Sequence, residues 1–426
     1  MPADGPLSVE RRYFTDHELG ERELDRVFGR SWLAVAHESE LPDPGDYLTR
    51  RMGRDEVIVA RSEGGDLSVL LNACSHRGTV LCKADRGNSA NFRCGYHGWT
   101  FSNTGELRGV PRYRELYGPD FDKDRMPLVR ARVDSYQGLV FATFDEDLVP
   151  LEEYLGDMRF YLDAFLDVSA AGTEAVGRSI VFEHQGNWKT EADNFAGDGY
   201  HLRYAHRAGF DMGLMGGQAG TTQGASVRFA HGHALRSQHA VTDDEDVRFP
   251  GYPPERWQEI ENRLGPEKVR FFADSAVVHG LVYPNLAFIH QSRPGGLDDA
   301  ESTAASVQFR VLNPLSPTST EERCWTIVPA DYSDDFKTTA YKCMLRQHGA
   351  TAFFESDDME NFRRMAQASQ GPVARRRVPS NFDLAIDHAP DDPWFDGPGY
   401  VLGADISEVN QRWFYRHYLE QMEDGA

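Results

Sequence analysis

Cysteine, positive charge and long apolar runs are all scarce in this chain, and each scarcity removes a class of protein. Five cysteines in 426 residues cannot staple a chain of this length, so no disulfide framework is expected and the cytoplasm is the expected compartment. No run of about eighteen apolar residues occurs, so no transmembrane helix is expected. The opening Met1-Pro-Ala-Asp-Gly-Pro has no basic stretch leading into an apolar core, so a secretory signal is not expected. Lys and Arg total 45 against 67 Asp and Glu, a formal charge of −22. Nucleic acid and anionic membrane would be repelled, and neither is expected as a partner. No Gly-x-Gly-x-x-Gly run opens a helix after a strand, so no nicotinamide or flavin is expected on the chain itself.

What remains is a chain long enough for two or more folding units. Residues 15–31 read as an amphipathic helix with Leu19, Leu24, Val27 and Phe28 on its apolar side and Thr15 or Asp16 placed to cap it. From Trp32 the texture turns to short β-rich runs at Trp32–Ala36, Tyr47–Arg51, Glu56–Ala60, Leu67–Leu71 and Leu139–Phe144. Gly and Pro punctuate them, as in a small antiparallel barrel or sandwich. Leu151–Phe165 is helical in pattern. Beyond it, strands are expected at Ser179–Glu183, Val227–His231, Leu281–Gln291, Ser306–Leu312 and Cys324–Pro329. Helices are expected at Glu255–Leu264, Phe336–Gln347, Ala352–Ala368 and Ser407–Met422, with loops at Gly216–Gly224 and Ser369–Phe382.

Two stretches carry chemistry. In the β-rich part, Cys74-Ser-His76 is followed, seventeen residues later, by Cys94-Gly-Tyr-His97. Each half offers one thiolate and one imidazole from a tight loop. Four such ligands suit tetrahedral Zn²⁺, and equally a Rieske [2Fe–2S] centre with two Cys on one iron and two His on the other. The halves are near-copies, and Gly78, Gly95 and Gly98 let the loops bend around a cluster, which favours the Rieske reading.

The second stretch is Glu191–His206, which brings Asp198, His201 and His206 into one short segment. Two imidazoles and one carboxylate on one face of Fe(II) leave coordination positions open for O₂ chemistry. Residues five apart on a regular helix differ by about 140°. His201 and His206 therefore share an ion only if the helix is widened or broken between them, whereas Asp198 and His201, three apart, would share a face.

With both motifs on the page, the chain resembles the large subunits of aromatic-ring-hydroxylating oxygenases of the naphthalene dioxygenase type. Cys74-x-His76…Cys94-x-x-His97-Gly98-Trp99 resembles their Rieske domain, and Asp193-Asn194-Phe195-x-Gly197-Asp198-x-Tyr200-His201-x₄-His206 resembles their mononuclear-iron motif. The resemblance implies an α+β fold. A β-rich Rieske domain (35–150) precedes a larger catalytic domain of antiparallel sheet plus helices, the helix-grip type (151–426), with residues 1–34 packing on the latter. It implies one [2Fe–2S] cluster on Cys74, His76, Cys94 and His97, and one mononuclear Fe(II) on His201, His206 and a late carboxylate. Phe353–Asn361 resembles the family's acidic segment, whose second Asp is the ligand, giving Asp358 over Asp357; alternatively Glu355, Asp357, Asp358 and Glu360 form a plain acidic helix face.

Respiratory Rieske proteins carry an extra cysteine in each cluster loop. The corresponding places here hold Thr79 and Tyr96, so that brace is absent and a low potential is expected. Cys324 and Cys343 read as ordinary core residues. The resemblance further implies a head-to-tail trimer, α3 or α3β3, in which Asp198 bridges His97 of one copy and His201 of the next, with Asn194 near the iron; a capping or purely structural Asp198 is the alternative. It implies a substrate wall of Phe195, Leu202, His279 and Phe354, with Phe288 a further candidate. The implied reaction is cis-dihydroxylation of an aromatic ring with O₂, fed by a ferredoxin or reductase that uses NAD(P)H. Arg203 and Arg207 keep an aromatic acid open as substrate. Two other readings remain: monooxygenation or demethylation by the same machinery, and an electron-transfer Rieske protein without mononuclear iron.

Overall fold

The computed structural model describes residues 5–118, 120–212, 224–239, 248–291, 304–386, 393–403 and 406–423. The chain divides into two compact units, one formed by Phe28–Leu151 and the other by Met1–Val27 with Glu152–Ala426.

The first unit is all β apart from single turns. Its larger sheet runs in the order Leu33–His37, Leu139–Thr143, Arg130–Tyr136, Leu67–Leu71, Asp55–Arg61, Asp46–Met52, Arg86–Asn88. A smaller three-stranded sheet holds Asn91–Arg93, Thr100–Ser102 and Leu107–Gly109. Ile58, Leu70, Phe92, Trp99 and Phe101 form the core beneath both cysteine loops. Four of the five strands expected here lie within a residue or two of the observed bounds, and Leu67–Leu71 matches as written.

The second unit is built on eight antiparallel strands, in the order Thr173–His184, Ser319–Pro329, Ser306–Ser316, Leu286–Gln291, Ser275–Val282, Ala234–His239, Gly224–Arg228, Tyr400–Leu402. Helix Trp188–Gly197 packs across four of them, from Ala234–His239 to Ser306–Ser316. Cross-strand register puts Arg236, His279, Ile289 and Gln308 in one row. Side chains alternate along a strand, so Phe288 points the other way and packs with Phe165 and Phe309.

Several expected elements differ from those observed. The single strand Leu281–Gln291 is a hairpin of two strands joined through Tyr283-Pro284-Asn285, because proline cannot donate to the ladder. Leu151–Phe165 is two helices, Leu151–Leu155 and Met158–Leu166, parted at Gly156 with φ of 49°. The long N-terminal helix shortens to His17–Arg26, capped by Asp16, whose side chain accepts from Glu18 N and Leu19 N. Val227–His231 ends as a strand at Arg228 and closes with a 3₁₀ turn at Ala230–Gly232. Ser369–Phe382 is no plain loop: Pro372 starts the helix Pro372–Arg377, and Ser380–Asn381 pairs with Ser8–Val9. The loop at Gly216–Gly224 lies outside the described residues except Gly224, which opens a strand.

Helix Trp188–Gly197 is held at its N-terminal end by a buried ion pair. Lys189 Nζ donates to Glu23 Oε1 at 2.5 Å, and Glu23 also accepts from Trp188 Nε1 (2.9 Å) and from the Tyr418 hydroxyl (2.5 Å). Neither charge reaches solvent. Burial works to lower the Lys189 pKa, and the Glu23 carboxylate opposes it. Removing one partner strands the other charge in a dry site. Lys189→Met should therefore cost about 3–5 kcal/mol in a urea melt of this unit, with the visible spectrum of the cysteine-loop unit unchanged at low urea.

Candidate active site and cluster site

The two cysteine loops are near-copies in structure as well as in sequence. Gly78 N donates to Cys74 O (2.7 Å) and Cys74 N to Thr79 O (2.9 Å); Gly98 N donates to Cys94 O (3.0 Å) and Cys94 N to Trp99 O (2.7 Å). Both Gly78 and Gly98 have φ of 73°, a left-handed conformation that lets each loop fold its imidazole back beside its thiol. The His76 and His97 rings lie 4.6 Å apart, with His76 stacked on Trp99. Both sulfurs are buried, and backbone N–H groups of residues two and three further on point at each. Burial raises the Cys74 thiol; at Cys94 burial also pushes upward, but the Tyr96 and His97 N–H groups win and the thiol falls below its ordinary value. His76 Nδ1 is buried without a hydrogen-bond partner among the described residues. An orphaned ring nitrogen beside two buried sulfurs fits a [2Fe–2S] cluster of the Rieske type.

The second site grows out of helix Trp188–Gly197. Asn187 caps it by accepting from Lys189 N, and its apolar side buries Trp188, Ala192, Phe195 and Ala196. It stops at Gly197, where a Cβ would sit 2.8 Å from the Asn410 amide. Asn410 in turn donates to Ala196 O and Leu235 O, tying the helix end to the sheet. Asp198 then caps a fresh turn, its Oδ1 accepting from Tyr200 N (3.0 Å) and His201 N (3.1 Å). The short helix Leu202–Ala205 ends at His206. The chain is thus broken before His201 rather than widened between the two histidines. Asp198 and His201 meet through a cap, not a shared helix face. The His201 and His206 rings end 5.1 Å apart.

Asp358, from helix Phe353–Gln370, completes the group. Its Oδ1 lies 3.6 Å from His201 Nε2 and 3.5 Å from His206 Nε2. His201 Nδ1 donates to Asp198 O at 2.7 Å, and Asp198 Oδ2 lies 3.4 Å away. His206 Nδ1 faces Asp357 Oδ2 at 3.3 Å. Each imidazole therefore commits Nδ1 to an orienting oxygen and turns Nε2 inward, the arrangement that metal-binding histidines adopt. Donor separations of 3.5–3.6 Å match the edges of a shell with ligands about 2.1–2.2 Å from an ion. Burial alone would lower the His201 pKa, yet the Asp198 and Asp358 carboxylates raise it to about 9, so the site favours a cation. The residues fit an Fe(II) ion.

The two aspartates divide the work: Asp357 orients His206 and Asp358 faces both Nε2 atoms. Glu360 alone behaves as a plain acidic face, pairing in solvent with Arg363 and Arg364. Arg207 pairs with Asp211 at the surface.

Around the group, Asn194 Nδ2 lies 3.5 Å from His201 Nε2. Phe354 meets the His206 ring at 5.0 Å, and Phe195 meets His279 edge-on at 5.8 Å. Leu202 is half-buried one residue beyond His201. Burial first, then Arg236 and His201, push the His279 pKa well down, so it presents a neutral imidazole. Phe288, on the other face of the sheet, is not part of this wall.

Sequence reasoning missed what holds the two halves in register. Arg310 grips Glu355 with both terminal nitrogens, reaches Glu191 Oε1 at 3.4 Å and lies 4.7 Å over the Phe195 ring. Glu355 also accepts from His348 Nδ1 at 3.1 Å. One guanidinium thus ties the helix leading to His201 to the helix carrying Asp358. No local signal marks Arg310, since its partners lie 119 and 45 residues away.

Comparison with known proteins places these sites in company. Residues 31–133 match the Rieske [2Fe-2S] domain family, and residues 171–424 match the ring hydroxylating alpha subunit (catalytic domain) family. The chain is 35% identical to benzene 1,2-dioxygenase subunit alpha of Pseudomonas putida, over 97% of this chain and 91% of that one. It is 32% identical to N,N-dimethyl phenylurea N-demethylase subunit alpha of Sphingobium sp., with the same coverage. The solved structure of naphthalene 1,2-dioxygenase from Rhodococcus sp. bound to indole superposes with a TM-score of 0.93 at 37% identity, covering 98% of this chain and 95% of that one.

Glu355→Gln tests the tie. It removes the charge that Arg310 and His348 share, one helical turn before Asp358. Iron affinity at the histidine site should fall about 10–100-fold, read as faster loss to a chelator, while the cluster spectrum stays intact.

Proposed function

This chain belongs to the ring-hydroxylating oxygenase alpha-subunit family, and from that premise we infer that it is the terminal oxygenase of an aromatic-ring dioxygenase system. The reaction joins an aromatic C=C, O₂, two electrons and two protons into a cis-dihydrodiol. The family carries a Rieske cluster and a mononuclear iron. When bound, the iron supplies O₂ activation and the cluster supplies single electrons.

We assign the cluster to Cys74, His76, Cys94 and His97, and the iron to His201, His206 and Asp358. The observation that carries the reading is the convergence of two Nε2 atoms on one oxygen of Asp358, beside a wall of neutral rings. Asp198 and Asp357 hold the two imidazoles by Nδ1 and leave both Nε2 atoms facing Asp358. Asn194 stands beside His201 Nε2 with an amide that can hydrogen-bond without carrying charge. Phe195, Leu202, His279 and Phe354 hold a flat ring and keep bulk water from it. A third of the Asp198 side chain is exposed, at 32%. That supports a bridge to His97 of a neighbouring copy in a trimer, with or without a small subunit. Ferredoxin or reductase partners drawing on NAD(P)H, and a cytoplasmic setting, complete the proposal. Among the described residues no helix is long and apolar enough to cross a membrane.

The 32% identity to a phenylurea N-demethylase subunit keeps one second reading, oxidative N-demethylation with the same residues. Turnover under ¹⁸O₂ with a surrogate reductase and a panel of monocyclic and bicyclic arenes separates the two. The expected product is a cis-dihydrodiol carrying both labelled oxygens. Formaldehyde and a demethylated phenylurea, with no diol from any arene, would contradict the assignment.

A further inference from the structure

Beneath the N-terminal turn of helix Trp188–Gly197 lies a second convergence of metal-binding groups that the oxygenase chemistry does not use. His184 ends the strand Thr173–His184, Glu191 stands in the first turn of the helix, and Glu322 lies on the strand Ser319–Pro329. His184 Nε2 is 3.0 Å from Glu191 Oε2 and 3.4 Å from Glu322 Oε1. The three donor atoms lie within 4.8 Å of one another. All three side chains are at most 2% exposed.

The charge count around them does not close. Glu191, Glu322 and Glu355 bring three carboxylates to a single guanidinium, that of Arg310. Arg310 is already committed. Its Nε donates to Gln308 (2.8 Å), and both terminal nitrogens grip Glu355. Only long contacts of 3.4 and 3.5 Å are left for Glu191 and Glu322. Glu322 Oε2 has no hydrogen-bond partner among the described residues. Two negative charges in a dry site need two protons or one divalent cation.

We propose that His184, Glu191 and Glu322 hold a divalent first-row cation, a second metal site separate from the oxygenase iron. Donor edges of 3.0 and 3.4 Å are those of an octahedral or tetrahedral shell with ligands about 2.1 Å from the ion. Protons are the competing balance, since Glu322 and Glu191 are close enough to share one, and the metal count below separates the two. His184 Nδ1 is unpartnered whichever nitrogen carries the proton, so it favours neither state. One imidazole and two carboxylates suit Zn²⁺ or Mn²⁺. The ion would clamp two strands to the start of the helix whose far end delivers Asp198.

The test is a metal count on the purified holoprotein, summing Fe, Zn, Mn, Co, Ni and Cu by mass spectrometry after incubation with Zn²⁺ or Mn²⁺ and desalting. A His201→Ala background silences the oxygenase iron. There the proposal expects the cluster's two irons plus one further ion. Adding Glu191→Gln and Glu322→Gln should return the count to two with the cluster spectrum unchanged. A wild-type protein that never holds more than three metal ions, the cluster's two and one more, would overturn the proposal and leave protons as the balancing charge. The wild-type count needs no variant to fold, and it does not depend on which substrate the chain oxidises.

Discussion

Carboxylates withdrawn from water must meet positive charge, and most of the catalytic unit's design follows from that constraint. Both ends of helix Trp188–Gly197, and its first turn, meet one. Glu23 meets Lys189 at its start. Glu191 leans on Arg310 in its first turn. Asp193, mid-helix, shows the other outcome: burial drives its carboxyl far up, and it accepts from the neutral Tyr415 hydroxyl at 2.5 Å. Asp198 closes the far end against His201. A charge unpaired at any of these places costs several kcal/mol, so the helix has little freedom to shift. Rigidity here matters because ligand positions a fraction of an ångström loose are enough to weaken a metal site.

The two cysteine loops solve a different problem by repetition. Each has to bury a sulfur, turn sharply and bring an imidazole back beside it. Cys-x₁₋₂-His with a left-handed glycine does this in five residues, and using the same solution twice places the rings of His76 and His97 side by side. Here chemistry is almost wholly local, because each backbone bond that shapes a loop joins residues four or five apart.

That difference explains what could be read from the chain alone. The paired cysteine loops were legible because the bonds that shape them join neighbours in sequence. His201 and His206 were legible as a pair, and so was a break in the helix, though it was expected between them and falls before His201. How it breaks was not, since the stop at Gly197 depends on Asn410, more than two hundred residues on. Asp358 stood out only through likeness to a family, since periodicity treats Glu355, Asp357, Asp358 and Glu360 alike; contacts made by the folded chain separate them. Arg310, His348 and the group around His184 left no trace in local pattern. In a strand buried on both faces, hydropathy marks burial and not which charge will be met. The joined reading of Leu281–Gln291 failed for a simpler reason: two apolar strands were run together across a proline turn.

Where iron sits decides between an oxygenase and an electron carrier. Anomalous X-ray scattering at the iron edge, on crystals of the holoprotein, measures this without reference to activity. The predicted map has iron density between the paired loops at Cys74, His76, Cys94 and His97, and a separate single peak between His201, His206 and Asp358. Density at the loops alone, with those three side chains ordered and empty between them, would contradict it and leave the chain an electron carrier.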